Sequence, residues 1–152
     1  MTPEHSIEEL DRLICRLLSA DGRMSYTDLG RSTGLSTSAV HQRVRRLEQR
    51  GVIKGYTAVV DFDAIGLPLT AFVSVTPLDP AAPDDLPERF AGLPEIEACH
   101  SVAGSENYIL KVRVATPGAL EGLLARLRGV ASVSTRTTIV LSTPFEARSL
   151  PT

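Results

Sequence analysis

Residues 34–53, GLSTSAVHQRVRRLEQRGVI, leave few folds open to the chain that carries them. The segment reads as a tight turn at Gly34, a capped helix and a stop at Gly51. Ser36 suits the helix N-cap, because a short hydroxyl satisfies first-turn amides that have no partner. Val40, Val44 and Leu47 recur at i, i+4 and i+7 and therefore share one face. At about 100° per residue, the opposite face carries Ser38, Gln42, Arg45, Arg46 and Gln49, with His41 at its edge. That outward set holds cationic and hydrogen-bonding groups and no carboxylate. It suits the major groove of a duplex, where base edges offer acceptors and phosphates line the rim. Ser36 and Thr37 at the start of the helix and Arg50 at its end complete the candidate contact set. Gln42 and Arg45 lie centrally and suit base edges, whereas Arg46 and Arg50 suit phosphate. Arg43 falls near the apolar side, where a structural or backbone-contact role is expected.

The preceding residues complete a helix-turn-helix outline. Ser25 followed three residues later by Asp28 is a variant capping box, with Asp for Glu, and opens a short helix through about Thr33. Gly34 permits the reversal, and Leu35 can tuck between helices. A first helix is expected from about Ile7 to Ala20, capped by Ser6 and Glu9, with Leu10, Leu13, Ile14, Leu17 and Leu18 as its apolar stripe.

The formal net charge of -2 conceals an uneven distribution. Between residues 31 and 54, Arg31, Arg43, Arg45, Arg46, Arg50 and Lys54 stand against Glu48 alone. Residues 61–152 hold 7 basic and 11 acidic side chains. Only the first region offers the local cationic patch that binds phosphate through counterion release. No apolar run reaches the ~18 residues of a membrane span, and the polar, acidic start MTPEHSIEELDR is unlike a signal peptide. A cytoplasmic location is therefore expected. Cys15 and Cys99 form no disulfide framework and read as small buried hydrophobes.

Beyond the helices, Val52–Val60 has β-branched character and is expected to leave as an extended arm, and Asp61–Gly66 reads as one helical turn acting as a hinge. Strand-like Leu69–Thr76 follows, then a short helix over Asp84–Leu93, strands over Glu95–Val102 and Asn107–Ala115, a helix opened by Thr116-Pro117, and a strand over Val130–Leu141. The expected architecture is α+β: an N-terminal winged-type helix-turn-helix domain over residues 1–60, a hinge over 61–66, and a ferredoxin-like βαββαβ sandwich over 67–152. Two helices on one face of a four-stranded sheet leave the other face open. A second copy is the simplest cover, so a homodimer is expected, and its twofold axis would present two recognition helices to half-sites about one helical turn apart.

With these features the chain resembles the Lrp/AsnC (feast/famine) family of transcriptional regulators over about Glu9 to Leu141. LSTSAVHQRVRRLEQRGVIKGY at Leu35–Tyr56 follows the family's recognition-helix pattern. LDRLICRLLSADGRMSYTDLG at Leu10–Gly30 and FDAIGLPLTAFVSV at Phe62–Val75 resemble its lead and its hinge with first strand. The resemblance implies double-stranded DNA as partner, dimerisation through a RAM-type sheet domain, assembly of dimers into octamers or other higher oligomers, and a free amino acid or related metabolite as effector. It also implies an effector pocket between dimers around the turn joining the second and third sheet strands, here Ser101–Leu110. The family often carries an acid just before the aromatic residue of this turn. This chain has Asn107 before Tyr108, with Glu106 one position earlier. The candidate effector set is Ser101, Ala103, Gly104, Ser105, Glu106, Asn107, Tyr108, Thr135 and Thr137. Gly104 allows close backbone approach, amides around Ala103–Ser105 can hold a carboxylate, Glu106 or the Asn107 carbonyl can accept from an ammonium group, and the two threonines can add hydroxyls.

An enzyme is disfavoured. Cys99 and His100 are adjacent in a strand and point to opposite faces. His5, His41 and His100 lack metal-ligand spacing, and no phosphate-binding glycine loop is present. The expectation is a non-enzymatic regulator with no catalytic residues, no metal site, no cofactor beyond an amino-acid effector and no membrane association. The competing expectation is an architectural protein that wraps DNA and ignores metabolites.

Overall fold

The computed structural model describes residues 7–150, which divide into two compact units: residues 7–59 with 144–150, and Val60–Thr143. The first unit holds three helices, α1 (Glu9–Ala20), α2 (Tyr26–Thr33) and α3 (Thr37–Gln49). Its core is Ile14, Leu29, Val40, Val44 and Leu47, with Leu17, Leu18, Met24 and Leu35 packed at the margin. A fully buried aliphatic side chain of this kind contributes about 1.5–3 kcal/mol.

The caps at the turn form as expected. Ser25 Oγ accepts from the Asp28 amide, and Ser36 Oγ accepts from that of Ala39. The Asp28 carboxylate reaches back to the Ser25 hydroxyl at 2.7 Å, so this reciprocal bond is between side chains, because Asp is one methylene shorter than Glu. Gly34 closes α2 in the left-handed region with φ 74°, a conformation that costs a side-chain-bearing residue about 1–2 kcal/mol. The expected cap of α1 needs correction: Glu8 is the N-cap residue and makes no side-chain cap, so α1 starts two residues later than expected. Ser6 lies outside the described residues, as does His5.

Α strand-built wing does not follow α3 among the described residues. The amides of Val52 and Ile53 both return to the Leu47 carbonyl, and residues 54–61 then run without regular secondary structure. Here the winged-type expectation is corrected: a wing needs two paired strands, and the arm has no partner strand in its own unit.

The second unit is a four-stranded antiparallel sheet in the order β2-β3-β1-β4, from β1 (Leu69–Pro77), β2 (Ile96–Ser101), β3 (Tyr108–Val114) and β4 (Val133–Ile139). Helices α4 (Leu86–Phe90) and α5 (Pro117–Val130) complete the βαββαβ order. Cross-strand register sorts the faces. Val73 lies opposite Leu110 and Thr137, and Val75 opposite Tyr108 and Thr135, on the side that packs with Leu86, Phe90, Leu120, Leu123 and Leu127. Phe72, Ser74, Ile109, Lys111 and Arg136 alternate onto the other side, where Phe72 stays 39% exposed.

The expected boundaries also shift. The 61–66 turn belongs to the sheet unit: Asp61 Oδ1 accepts from the amides of Asp63 and Ala64, and the Phe62 ring lies 3.6 Å beneath the Arg113 guanidinium. The last residues leave that unit. The Leu150 amide donates to Ser19 Oγ at 3.3 Å, grouping 144–150 with the helices.

Candidate nucleic-acid interface and effector turn

Helix α3 buries one side and exposes the other. Val40, Val44 and Leu47 are 1% exposed or less, whereas Ser36, Thr37, Ser38, His41, Gln42, Arg45, Arg46, Gln49 and Arg50 are all exposed. The nine residues read from the sequence thus occupy one continuous surface of the capped helix. Ser36 and Ser38 hydroxyls lie 3.2 Å apart at its start. The ring of His41 meets that of Tyr26 at 5.1 Å between centroids, which joins the start of α2 to this surface. Tyr26 was not foreseen: its contact spans two helices, and no local spacing signals it.

Arg43 is withdrawn from the surface. Its Nη1 lies 2.8 Å from both Asp11 Oδ1 and Glu8 Oε2. The Asp11 side chain is 4% exposed, so a carboxylate on the inner face of α1 is neutralised by the recognition helix itself. The hydrogen bonds to Asp11 and Glu8 raise the guanidinium's already high proton affinity. Gly30 brings the turn into contact: a Cβ at this position would meet the Leu35 carbonyl oxygen at 2.7 Å.

In the sheet unit the candidate effector residues fall into separate places. Ser101, Asn107 and Tyr108 line a cavity of about 270 Å³ together with Asp84 and the prolines of the 77–83 loop. The buried Tyr108 hydroxyl donates to Asp84, and this bond with partial burial pushes the phenol up to about 12. Ser105, Glu106 and Thr135 line a second cavity of about 210 Å³ with Ser74, Ser134 and Arg136. There Glu106 accepts from the hydroxyls of Ser105 and Ser74 and lies 3.6 Å from Arg136. The Ser105 and Ser74 bonds, with the Arg136 charge, hold the Glu106 carboxyl below the usual carboxylate range.

Thr137 is not brought to this group. It pairs with Val73, two residues along β4 from Thr135 and on the same side of the sheet, and lines neither cavity, while the Thr135 hydroxyl lies 3.5 Å from the Arg128 guanidinium. Ala103 and Gly104 are exposed and line neither of these two cavities. Ser74, Asp84 and Arg136 join the site without having been foreseen. The alternation of β4 and β1 held the signal for Arg136 and Ser74, but only the register shows that they meet Glu106.

Residues 7–48 match the AsnC-type helix-turn-helix domain, and residues 70–150 match the Lrp/AsnC ligand binding domain. The chain is 51% identical to the HTH-type transcriptional regulator LrpA of Mycobacterium tuberculosis over 143 residues, covering 94% of this chain and 95% of that protein. It is 40% identical to the leucine-responsive regulatory protein of Escherichia coli over 147 residues, covering 91% and 87% of the two. Among solved structures, the feast or famine regulatory protein of M. tuberculosis complexed with L-methionine superposes with a TM-score of 0.91 at 52% identity, covering 93% of this chain and 96% of that one. Two matched domains in this order, with relatives aligned along nearly their whole length, establish that the chain belongs to the Lrp/AsnC family of transcriptional regulators.

Proposed function

We propose that this regulator reads a specific duplex sequence through the outward face of α3, as a cytoplasmic homodimer or a larger assembly of dimers, and that a free amino acid bound at the 101–108 turn modulates it. The observation that carries the first part is the division of α3: nine polar or cationic residues exposed without a carboxylate among them, over three apolar residues buried to 1% or less. Arg45 supplies two N–H donors for a guanine edge, Gln42 a donor and an acceptor for an adenine edge, and Arg46 and Arg50 neutralise phosphates. The open side of the sheet, with Phe72 partly exposed, supports pairing with a second copy. The L-methionine complex of the M. tuberculosis relative supports an amino-acid effector. In this chain Glu106 offers an acceptor for an ammonium group and Arg136 a partner for a carboxylate.

The test is a genome-wide selection of bound fragments, followed by titration of a selected duplex with and without each of the twenty amino acids. A selected sequence bound at least about 10³-fold more tightly than random duplex supports direct readout. Uniform affinity for all duplexes overturns it. An amino acid that shifts the midpoint, and loses this effect in Glu106→Gln, supports effector control. Indifference to all twenty supports the architectural reading instead.

A further inference from the structure

A separate cavity lies wholly within the helical unit. After α3 the arm turns back, so that the Tyr56 hydroxyl donates to Glu48 Oε1 at 2.8 Å. Its ring lies across Gly22, where an added Cβ would stand 3.8 Å from Tyr56 Cδ1. This folding-back leaves a cavity of about 340 Å³ whose walls include Leu18, Arg23, Met24, Tyr26, Glu48 and Tyr56. Tyr56 stays 51% exposed overall, while desolvation first, and the Glu48 bond second, push its phenol up to about 12.

The lining has a definite chemistry. Leu18 and Met24 are partly buried against the core and give an apolar floor. Tyr26 and Tyr56 give two aromatic walls. Arg23 has no ion-pair partner among the described residues, and Glu48 Oε2 has no hydrogen-bond partner among them. Glu48 is also the sole acid between residues 31 and 54. One free cation and one free carboxylate oxygen therefore border an apolar, aromatic space whose volume sits at the small end of ligand pockets, roughly 300–1,000 Å³. A ligand that uses all of it carries a carboxylate for Arg23, an ammonium for Glu48 and the neighbouring rings, and an apolar or aromatic body.

We propose that this cavity between the α1–α2 turn, the end of α3 and Tyr56 is a small-molecule site for a free amino acid with an apolar or aromatic side chain, independent of the 101–108 turn. Glu48 belongs to the recognition helix and Tyr56 to the arm that leaves the helical unit. A ligand held by both restrains the arm against the helix that carries Gln42 and Arg45. Local stiffness at the end of α3 then depends on occupancy.

The chain has two methionines, Met1 and Met24, so methyl-labelled methionine places one reporter in the cavity wall. The full-length protein is titrated with L-phenylalanine, whose ring current displaces a nearby methyl resonance. The expected result is a saturable shift of the Met24 methyl. The apparent affinity should fall at least about tenfold, or 1.4 kcal/mol, in Glu48→Gln and in Arg23→Gln. Phenylethylamine and 3-phenylpropionate, which each lack one charge, should bind weaker by a similar factor. The ligand-free Met24 resonance of each variant, unchanged from the parent, verifies that the cavity is intact. Three results overturn the proposal: no saturable shift up to about 20 mM ligand, a shift insensitive to both substitutions, or equal binding of the singly charged analogues.

Discussion

Arg43 Nη1 of the recognition helix lies 2.8 Å from the buried carboxylate of Asp11 on the first helix. One arginine of a cationic stretch is thereby spent on the fold. The pair ties α3, the helix that carries Gln42 and Arg45, to α1. Asp11→Ala leaves Arg43 with the more exposed Glu8 as its remaining partner. The expected loss is about 1–3 kcal/mol of unfolding free energy by urea denaturation. Arg43→Ala should lose a similar amount while leaving the salt slope of DNA binding unchanged. A slope reduced by about one unit would move Arg43 to the phosphate contacts.

On the exposed side of the same helix, substitution should separate sequence readout from charge. Gln42→Ala or Arg45→Ala should cost about 1–3 kcal/mol on the selected duplex and much less on random DNA. Arg46→Ala should weaken both about equally and lower the salt slope by about one. Anisotropy titrations at several salt concentrations distinguish the two patterns, and equal losses on both duplexes for Gln42 and Arg45 would remove them from base reading.

Two turn glycines should differ in cost for different reasons. At Gly30 an added methyl meets backbone, the Leu35 carbonyl oxygen at 2.7 Å, so the helices must part. Gly30→Ala should cost about 1–3 kcal/mol. At Gly34 no atom lies within 4 Å of the added Cβ, and only the φ of 74° is unfavourable. Gly34→Ala should cost about 1–2 kcal/mol. Thermal unfolding of the two variants checks the order, and only Gly30→Ala should also weaken DNA binding, because it alone displaces the start of α3.

The phenols of Tyr56 and Tyr108 are both pushed up to about 12, Tyr56 first by desolvation and Tyr108 first by its bond to Asp84. The folded chain therefore holds these protons more tightly than the unfolded chain, where a tyrosine titrates near 10. The stabilisation is intact below about pH 10 and is lost as pH rises through about 12. Urea midpoints measured from pH 9 to 12 should fall, and Tyr108→Phe should fall less steeply over that range. Parallel falls would show that the Asp84 bond does not hold the proton.

Much of this organisation was legible along the chain. The caps at Ser25, Ser36 and Thr116 were correctly placed, because a cap joins residues three apart. The buried side of α3 followed from helical period alone. Glu8 displaced the expected cap at the start of α1, where hydroxyl and acid spacing offered a signal that the described backbone does not follow. The hairpin joining β2 and β3 was legible in the sequence, yet the side chains that meet Glu106 beside it were missed. Ser74 and Arg136 reach Glu106 across strands 30 or more residues away, and Thr137 faces the opposite side of the sheet from them.

The sequence by itself determined which segments become helix or strand and which face of each is apolar, since those properties depend on neighbours within about four residues. Tertiary structure alone decided that Arg43 is sequestered by Asp11, that Gly30 admits no side chain, and that Glu106 meets Ser74 and Arg136. Each of these depends on interhelical approach or strand register. A one-residue slip or a shift of one ångström reverses them, and local propensity specifies neither quantity.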